Sequence, residues 1–102
     1  MIVLDYQDRR PIYEQVTDKF QILILNGDLP PGLQMPSVRQ LATELSVNPN
    51  TIQRAYMELE KLGLIYPVKG RGNFVADSSQ VQKINRESYR TEITALIQKR
   101  RN

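Results

Sequence analysis

Between Met35 and Val75 the chain reads MPSVRQLATELSVNPNTIQRAYMELEKLGLIYPVKGRGNFV, and its punctuation leaves room for few folds. Ser37 is a natural N-cap for a short helix over Val38–Leu45, whose Val38, Leu41, Ala42 and Leu45 share one face. Ser46-Val47 supplies a tight turn. Asn48 then caps a second helix and Pro49 takes its first position, a paired start signal, because Pro needs no N–H there. That helix runs to Leu62, where Gly63 stops it. Ile52, Ala55, Tyr56, Leu59 and Leu62 form its inner stripe. Two strands, Leu64–Lys69 and Asn73–Ala76, flank Gly70-Arg71-Gly72, whose glycines permit the positive φ angles of a tight hairpin. Pro67 fits an edge strand, where no ladder N–H is required.

The rest of the chain is less constrained. Met1–Leu4 reads equally as a short strand or a disordered end. A helix over Pro11–Asn26 carries Ile12, Val16, Phe20, Leu23 and Ile24 at helical spacing, with Gly27 as its C-terminal cap. Asp28–Gln34 reads as a loop, because Pro30-Pro31-Gly32 continues neither helix nor strand. Asp77–Ser79 caps a last helix over Gln80–Lys99, ending in Lys99-Arg100-Arg101, which complements the helix dipole.

Composition removes several classes of function. With no cysteine there is no disulfide, thiol nucleophile or zinc-thiolate site, which fits a reducing cytoplasm. With no histidine the commonest general base and metal ligand is missing. The carboxylates are scattered, so the sequence points to no enzyme, no metal and no cofactor. No apolar run is long enough for a bilayer, and the N-terminus lacks the form of a signal peptide, so no membrane role is expected. The net charge of +3 is uneven. Met1–Thr51 holds four Lys/Arg against six Asp/Glu, and Ile52–Asn102 holds ten against five. A basic half draws polyanions through long-range attraction and counterion release.

The expected fold is mainly α with a small β-hairpin: a winged helix-turn-helix over 1–76 and a helical tail over 77–102. This layout sets one helix in a DNA major groove and a basic loop on the backbone. Opposite the core stripe of the second helix lie Asn50, Gln53, Arg54, Met57 and Lys61. Asn50, Gln53 and Arg54 occupy its first turns, the part that meets base edges; Asn and Gln suit adenine, and Arg suits guanine. Ser37, Arg39, Asn48 and Thr51 sit near helix N-termini, where backbone N–H groups already favour phosphate. Ser37 and Asn48 can serve both as caps and as backbone contacts. Arg39 has a rival role, an ion pair with Glu44. At the wing tip, Lys69 and Arg71 carry charge while Gly70 and Gly72 let the backbone approach a groove. A solvated helix face and a plain Gly-rich turn account for these residues one at a time, but not for their order along the chain.

Pro11-Ile12-Tyr13, Gly27-Asp28-Leu29-Pro30-Pro31-Gly32, Pro36-Ser37-Val38-Arg39-Gln40-Leu41-Ala42, Asn50-Thr51-Ile52, Leu59-Glu60-Lys61-Leu62-Gly63-Leu64-Ile65 and Gly70-Arg71-Gly72-Asn73-Phe74-Val75 together resemble the DNA-binding domain of GntR-type bacterial transcription regulators. Asn48-Pro49-Asn50-Thr51-Ile52-Gln53-Arg54-Ala55-Tyr56 looks like the YtrA-like branch. The resemblance implies operator contacts from Arg39, from Asn48, Asn50, Thr51 and Gln53, and from Lys69, Gly70 and Arg71. The expected function is a repressor on double-stranded operator DNA, where a two-fold dimer would read a palindromic site, and the resemblance to this branch implies control of transporter genes. Only Ala76–Asn102 follows the wing, too little to enclose a ligand pocket of usual size, and the effector stays open. Tyr89, Ile93, Leu96 and Ile97 recur at helical spacing in the tail, with nothing in a three-helix domain to cover them, so they are expected to pair two copies. Two rivals stand beside this reading: a DNA-binding piece of a larger aminotransferase-fused relative, and a winged helix used for protein contacts.

Overall fold

The computed structural model describes residues 2–77, and the expected tail helix with its four apolar residues lies outside the described residues. Three helices and a hairpin follow in order: α1 Ile12–Leu25, α2 Val38–Leu45, α3 Pro49–Lys61, β1 Ile65–Val68 and β2 Gly72–Val75. The start signals act as expected. The Ser37 side chain accepts the Gln40 N–H at 3.1 Å and Asn48 Oδ1 accepts the Asn50 N–H at 2.8 Å, each relieving a donor that the helix itself cannot satisfy. Between the two helices Ser46 adopts a left-handed backbone, φ 56°, which turns the chain in a single residue.

The core joins one face of each helix to the root of the hairpin. Val16, Phe20 and Ile24 of α1 meet Leu41 and Ala42 of α2 and Ile52, Ala55, Tyr56 and Leu59 of α3, with Leu64, Ile65 and Val75 closing one side. Leu62 departs from the expected stripe. It is the C-cap of α3 and is 39% exposed, because the chain leaves the helix there and Leu64 and Ile65 fill the core instead. Leu23 is half-buried, and Ile22 is exposed. Two polar residues of α1 are inside. Gln15, 2% exposed, accepts the Asp5 N–H at 2.9 Å and donates to the Asp5 carbonyl at 3.0 Å, while the Thr17 hydroxyl donates to the Tyr13 carbonyl. The Gln15 clamp orders the N-terminal arm, which is neither a strand nor loose: Ile2 joins the core and Leu4 packs on it. Arg10 pairs with Asp8 and Asp18 at the entrance to α1, and its guanidinium holds the Asp8 carboxyl below the usual carboxylate range.

The wing is wider than two strands. β1 and β2 pair antiparallel from Ile65↔Val75 to Val68↔Gly72. On the other edge of β2, Val75 N–H donates to the Leu33 carbonyl at 2.9 Å, and Met35 N–H donates to the Asn73 carbonyl at 2.8 Å. A bridge between Gln34 and Phe74 lies between those bonds. The expectation of a plain loop over Asp28–Gln34 is therefore corrected at its end: Pro30 and Pro31 break regular structure, but Leu33–Met35 recover it against β2. Pro67 sits on β1, whose other edge is unpaired among the described residues, where a missing N–H costs nothing.

Tyr56 ties α3 to the entry of α2. Its hydroxyl donates to the Pro36 carbonyl at 2.7 Å, and burial, aided by the nearby Glu44 carboxylate, pushes the phenol up from its ordinary value. The folded state therefore holds this proton more tightly than the unfolded chain, so its contribution is complete below about pH 10 and drains as pH rises further. Tyr56→Phe is expected to cost about 1 kcal/mol at neutral pH. In urea melts the gap between wild type and variant should narrow above about pH 10. A gap that is absent at neutral pH would remove the bond from the account.

Candidate nucleic-acid interface

The outer face of α3 is the complement of its core stripe. Because Ile52, Ala55, Tyr56 and Leu59 are fixed inside, Asn50, Gln53, Arg54 and Met57 are held outside, and all four are exposed. Thr51 is half-buried at the flank. Each cap oxygen is committed to a backbone N–H, but the Ser37 hydroxyl proton and the Asn48 amide donors remain free to point outward. Arg39 is exposed, and no ion pair to Glu44 forms among the described residues, so the rival role weighed for it is not taken up. Lys61, at the far end of α3, pairs with Glu58 at 3.5 Å in an exposed bridge of little energetic weight.

Hydrogen bonds place the wing tip beside the start of α2. The Arg71 N–H donates to the Val68 carbonyl at 2.9 Å and closes the turn, with Gly70 at φ 79° and Gly72 at φ 94°. A side chain at either glycine would be strained by that backbone. Gln34 then reaches across from the segment leading into α2: its side-chain N–H donates to the Arg71 carbonyl at 2.7 Å. The side chains of Lys69 and Arg71 are exposed and make no ion pair among the described residues. With the Tyr56–Pro36 bond, this makes one continuous frame from α3, through the entry of α2, to the wing tip.

Two members of this surface escaped the sequence. Gln34 lay in a segment read as loop. Tyr13, in the first turn of α1, stacks on Arg54, whose guanidinium carbon is 3.9 Å from the ring centroid. Pro11, Ile12, Asn50 and Thr51 complete a shallow cleft around that pair. Both contacts bridge distant parts of the chain, and no local pattern announces them. The charge reading also changes. Residues 2–77 hold eight Lys/Arg and nine Asp/Glu, so the basic excess belongs to residues 78–102, with six against two. Positive character on the described surface is local: Arg39, Arg54, Lys69 and Arg71 are arranged on one frame and not backed by a net charge.

The arrangement offers amide and guanidinium donors on a rigid helix, free donors at two helix starts, and a basic glycine-hinged loop. Such a set suits a polyanion with readable edges. Among the described residues no helix is long and apolar enough to cross a membrane. Comparison with known proteins agrees with the geometry. The family profile "Bacterial regulatory proteins, gntR family" matches residues 12–75. The chain is 42% identical over 80 residues to the HTH-type transcriptional repressor YtrA of Bacillus subtilis, covering 78% of this chain and 62% of that relative. It thus spans less than two thirds of that protein. Among solved structures it superposes on YtrA from Sulfolobus acidocaldarius, a GntR-family transcription factor, with a TM-score of 0.76 and 32% identity over 92% of this chain and 83% of that one. It also superposes on the AraR DNA-binding domain in complex with operator ORR3, with a TM-score of 0.63 and 32% identity over 74% of this chain and 92% of that one. A winged helix-turn-helix with this element order, matched from the start of α1 to the end of β2, places the chain in the GntR family of bacterial regulatory proteins.

Proposed function

We propose that the chain is a transcriptional repressor that binds a palindromic operator in double-stranded DNA as a homodimer, acting by occupying promoter DNA. The observation that carries this reading is the frame joining the exposed face of α3, the entry of α2 and the wing tip. α3 supplies the readout: Asn50, Gln53 and Arg54 toward base edges, Thr51 at the rim. Ser37, Arg39 and Asn48 meet phosphates on one side of the groove, and Lys69, Gly70, Arg71 and Gly72 meet the backbone or minor groove on the other. The operator complex of AraR and the repressor name of the Bacillus subtilis relative support the assignment. Residues 78–102 would supply the dimer contact through Tyr89, Ile93, Leu96 and Ile97, and their basic excess would add to the attraction for DNA.

The test uses duplexes enriched from random DNA by the wild-type chain, with affinity measured by mobility shift at fixed salt. Arg39→Ala, Arg54→Ala and Arg71→Ala are each expected to weaken binding on the order of tenfold, as a lost charge-assisted bond does, with unchanged helical circular dichroism. Arg71→Ala should weaken all sequences alike and lower the salt slope by about 1, whereas Arg54→Ala should flatten the preference at one base position. Wild-type affinity in all three variants would refute the assigned face.

A further inference from the structure

Arg54 differs from the other cations of this surface in that it lies against an aromatic ring on another helix. The guanidinium carbon stands 3.9 Å from the centroid of Tyr13, which is half-buried in the first turn of α1. Such stacking uses one face of a planar group. The guanidinium makes no ion pair or hydrogen bond among the described residues, so its N–H donors are available to a partner. The Tyr13 hydroxyl is turned to the Glu14 carboxylate, at 3.4 Å, so the ring and not the hydroxyl is what meets Arg54. An exposed arginine otherwise samples many rotamers and loses that freedom on binding; a fixed ring removes part of the loss beforehand.

We propose that Tyr13 is a positioning residue for nucleic-acid recognition: its ring pre-sets the Arg54 guanidinium, so that sequence preference at the position Arg54 reads is determined by α1 as well as by α3. This rests on the DNA reading above and deepens it. Pro11, Ile12, Asn50 and Thr51 line the same cleft as the Tyr13–Arg54 pair, which places the starts of α1 and α3 side by side at this point.

The 102-residue chain and the duplexes it enriches from random DNA provide the test. Affinities are measured by mobility shift at fixed salt for Tyr13→Leu, Tyr13→Phe, Arg54→Ala and the double variant Tyr13→Leu with Arg54→Ala. Tyr13→Leu is expected to weaken binding on the order of fivefold, and Tyr13→Phe, which keeps the ring, to restore it. In the Arg54→Ala background Tyr13→Leu should add less than about twofold, and re-selection with Tyr13→Leu should relax the same base position as Arg54→Ala. Losses that multiply in the double variant, a Phe variant as weak as Leu, or full affinity in Tyr13→Leu would each overturn the positioning role while leaving DNA binding intact. A wild-type chain that enriches no duplex would overturn the DNA reading and this role together. A merely structural Tyr13 would lower the melting temperature without moving the preferred base.

Discussion

Replacing Phe20 by alanine is expected to leave most of the chain unfolded at physiological temperature. Phe20 is fully buried midway along α1 and meets Tyr56 of α3 edge-on, with ring centroids 6.1 Å apart and planes at 83°. Deleting the ring removes transfer energy and leaves a cavity that two rigid helices cannot close, a cost of about 3–5 kcal/mol. The lost aromatic pair, about 0.5–1.5 kcal/mol beyond buried area, places this site in the upper part of that range. A domain of this size holds only about 5 kcal/mol in total. Each kcal/mol moves the melting midpoint by about 4–8 °C in so small a unit, so a fall of about 15 °C or more is expected in circular dichroism melts. Phe20→Leu, which keeps much of the volume, should lose far less. A fall of under about 5 °C for Phe20→Ala would mean that the α1–α3 contact is not where the stability resides.

That packing is legible in the sequence, and the reason is locality. Ser37, the Asn48-Pro49 pair and Gly63 act on helix ends within a few residues, so their effect on the backbone can be read where they stand. The buried stripe of α3 is equally local, and once Ile52, Ala55, Tyr56 and Leu59 are inside, the exposure of Asn50, Gln53 and Arg54 follows from helix geometry. What could not be read depends on partners far along the chain. Leu33–Met35 pair with β2 only because the hairpin brings Asn73 and Val75 beside them. Gln15 looks like a surface residue until the N-terminal arm folds back and presents the Asp5 backbone to it. Gln34 and Tyr13 join the candidate surface through single long-range contacts, to Arg71 and Arg54. Leu62 falls outside the buried stripe because the apolar periodicity continues past the point where the helix ends. The chain is basic, but the excess lies after residue 77 and not on the wing.

The largest functional effect is expected from the tail. On the proposed homodimer, Ile93→Glu combined with Leu96→Glu is expected to yield monomer and to lower affinity for a two-half-site duplex by about 10²–10⁴. The physical ground is effective concentration. One domain offers α3 and one wing to a half-site in the proposed reading, and residues 2–77 carry no net positive charge to compensate for so small a footprint. Joined to a second copy, the other half-site is met as an intramolecular event, provided that the half-sites lie about 34–36 Å apart on one face of the duplex. Tyr89, Ile93, Leu96 and Ile97 are spaced in sequence as one helical stripe, and two carboxylates in that stripe would have to be desolvated on pairing. Sedimentation should report the mass change. Mobility shift should show the loss on the paired site, and a duplex holding one half-site should be bound about as weakly by the variant as by wild type, since neither gains from a second contact. A variant that stays dimeric would remove these residues from the interface. A monomeric variant with undiminished affinity for the paired site would end the case for a two-fold operator.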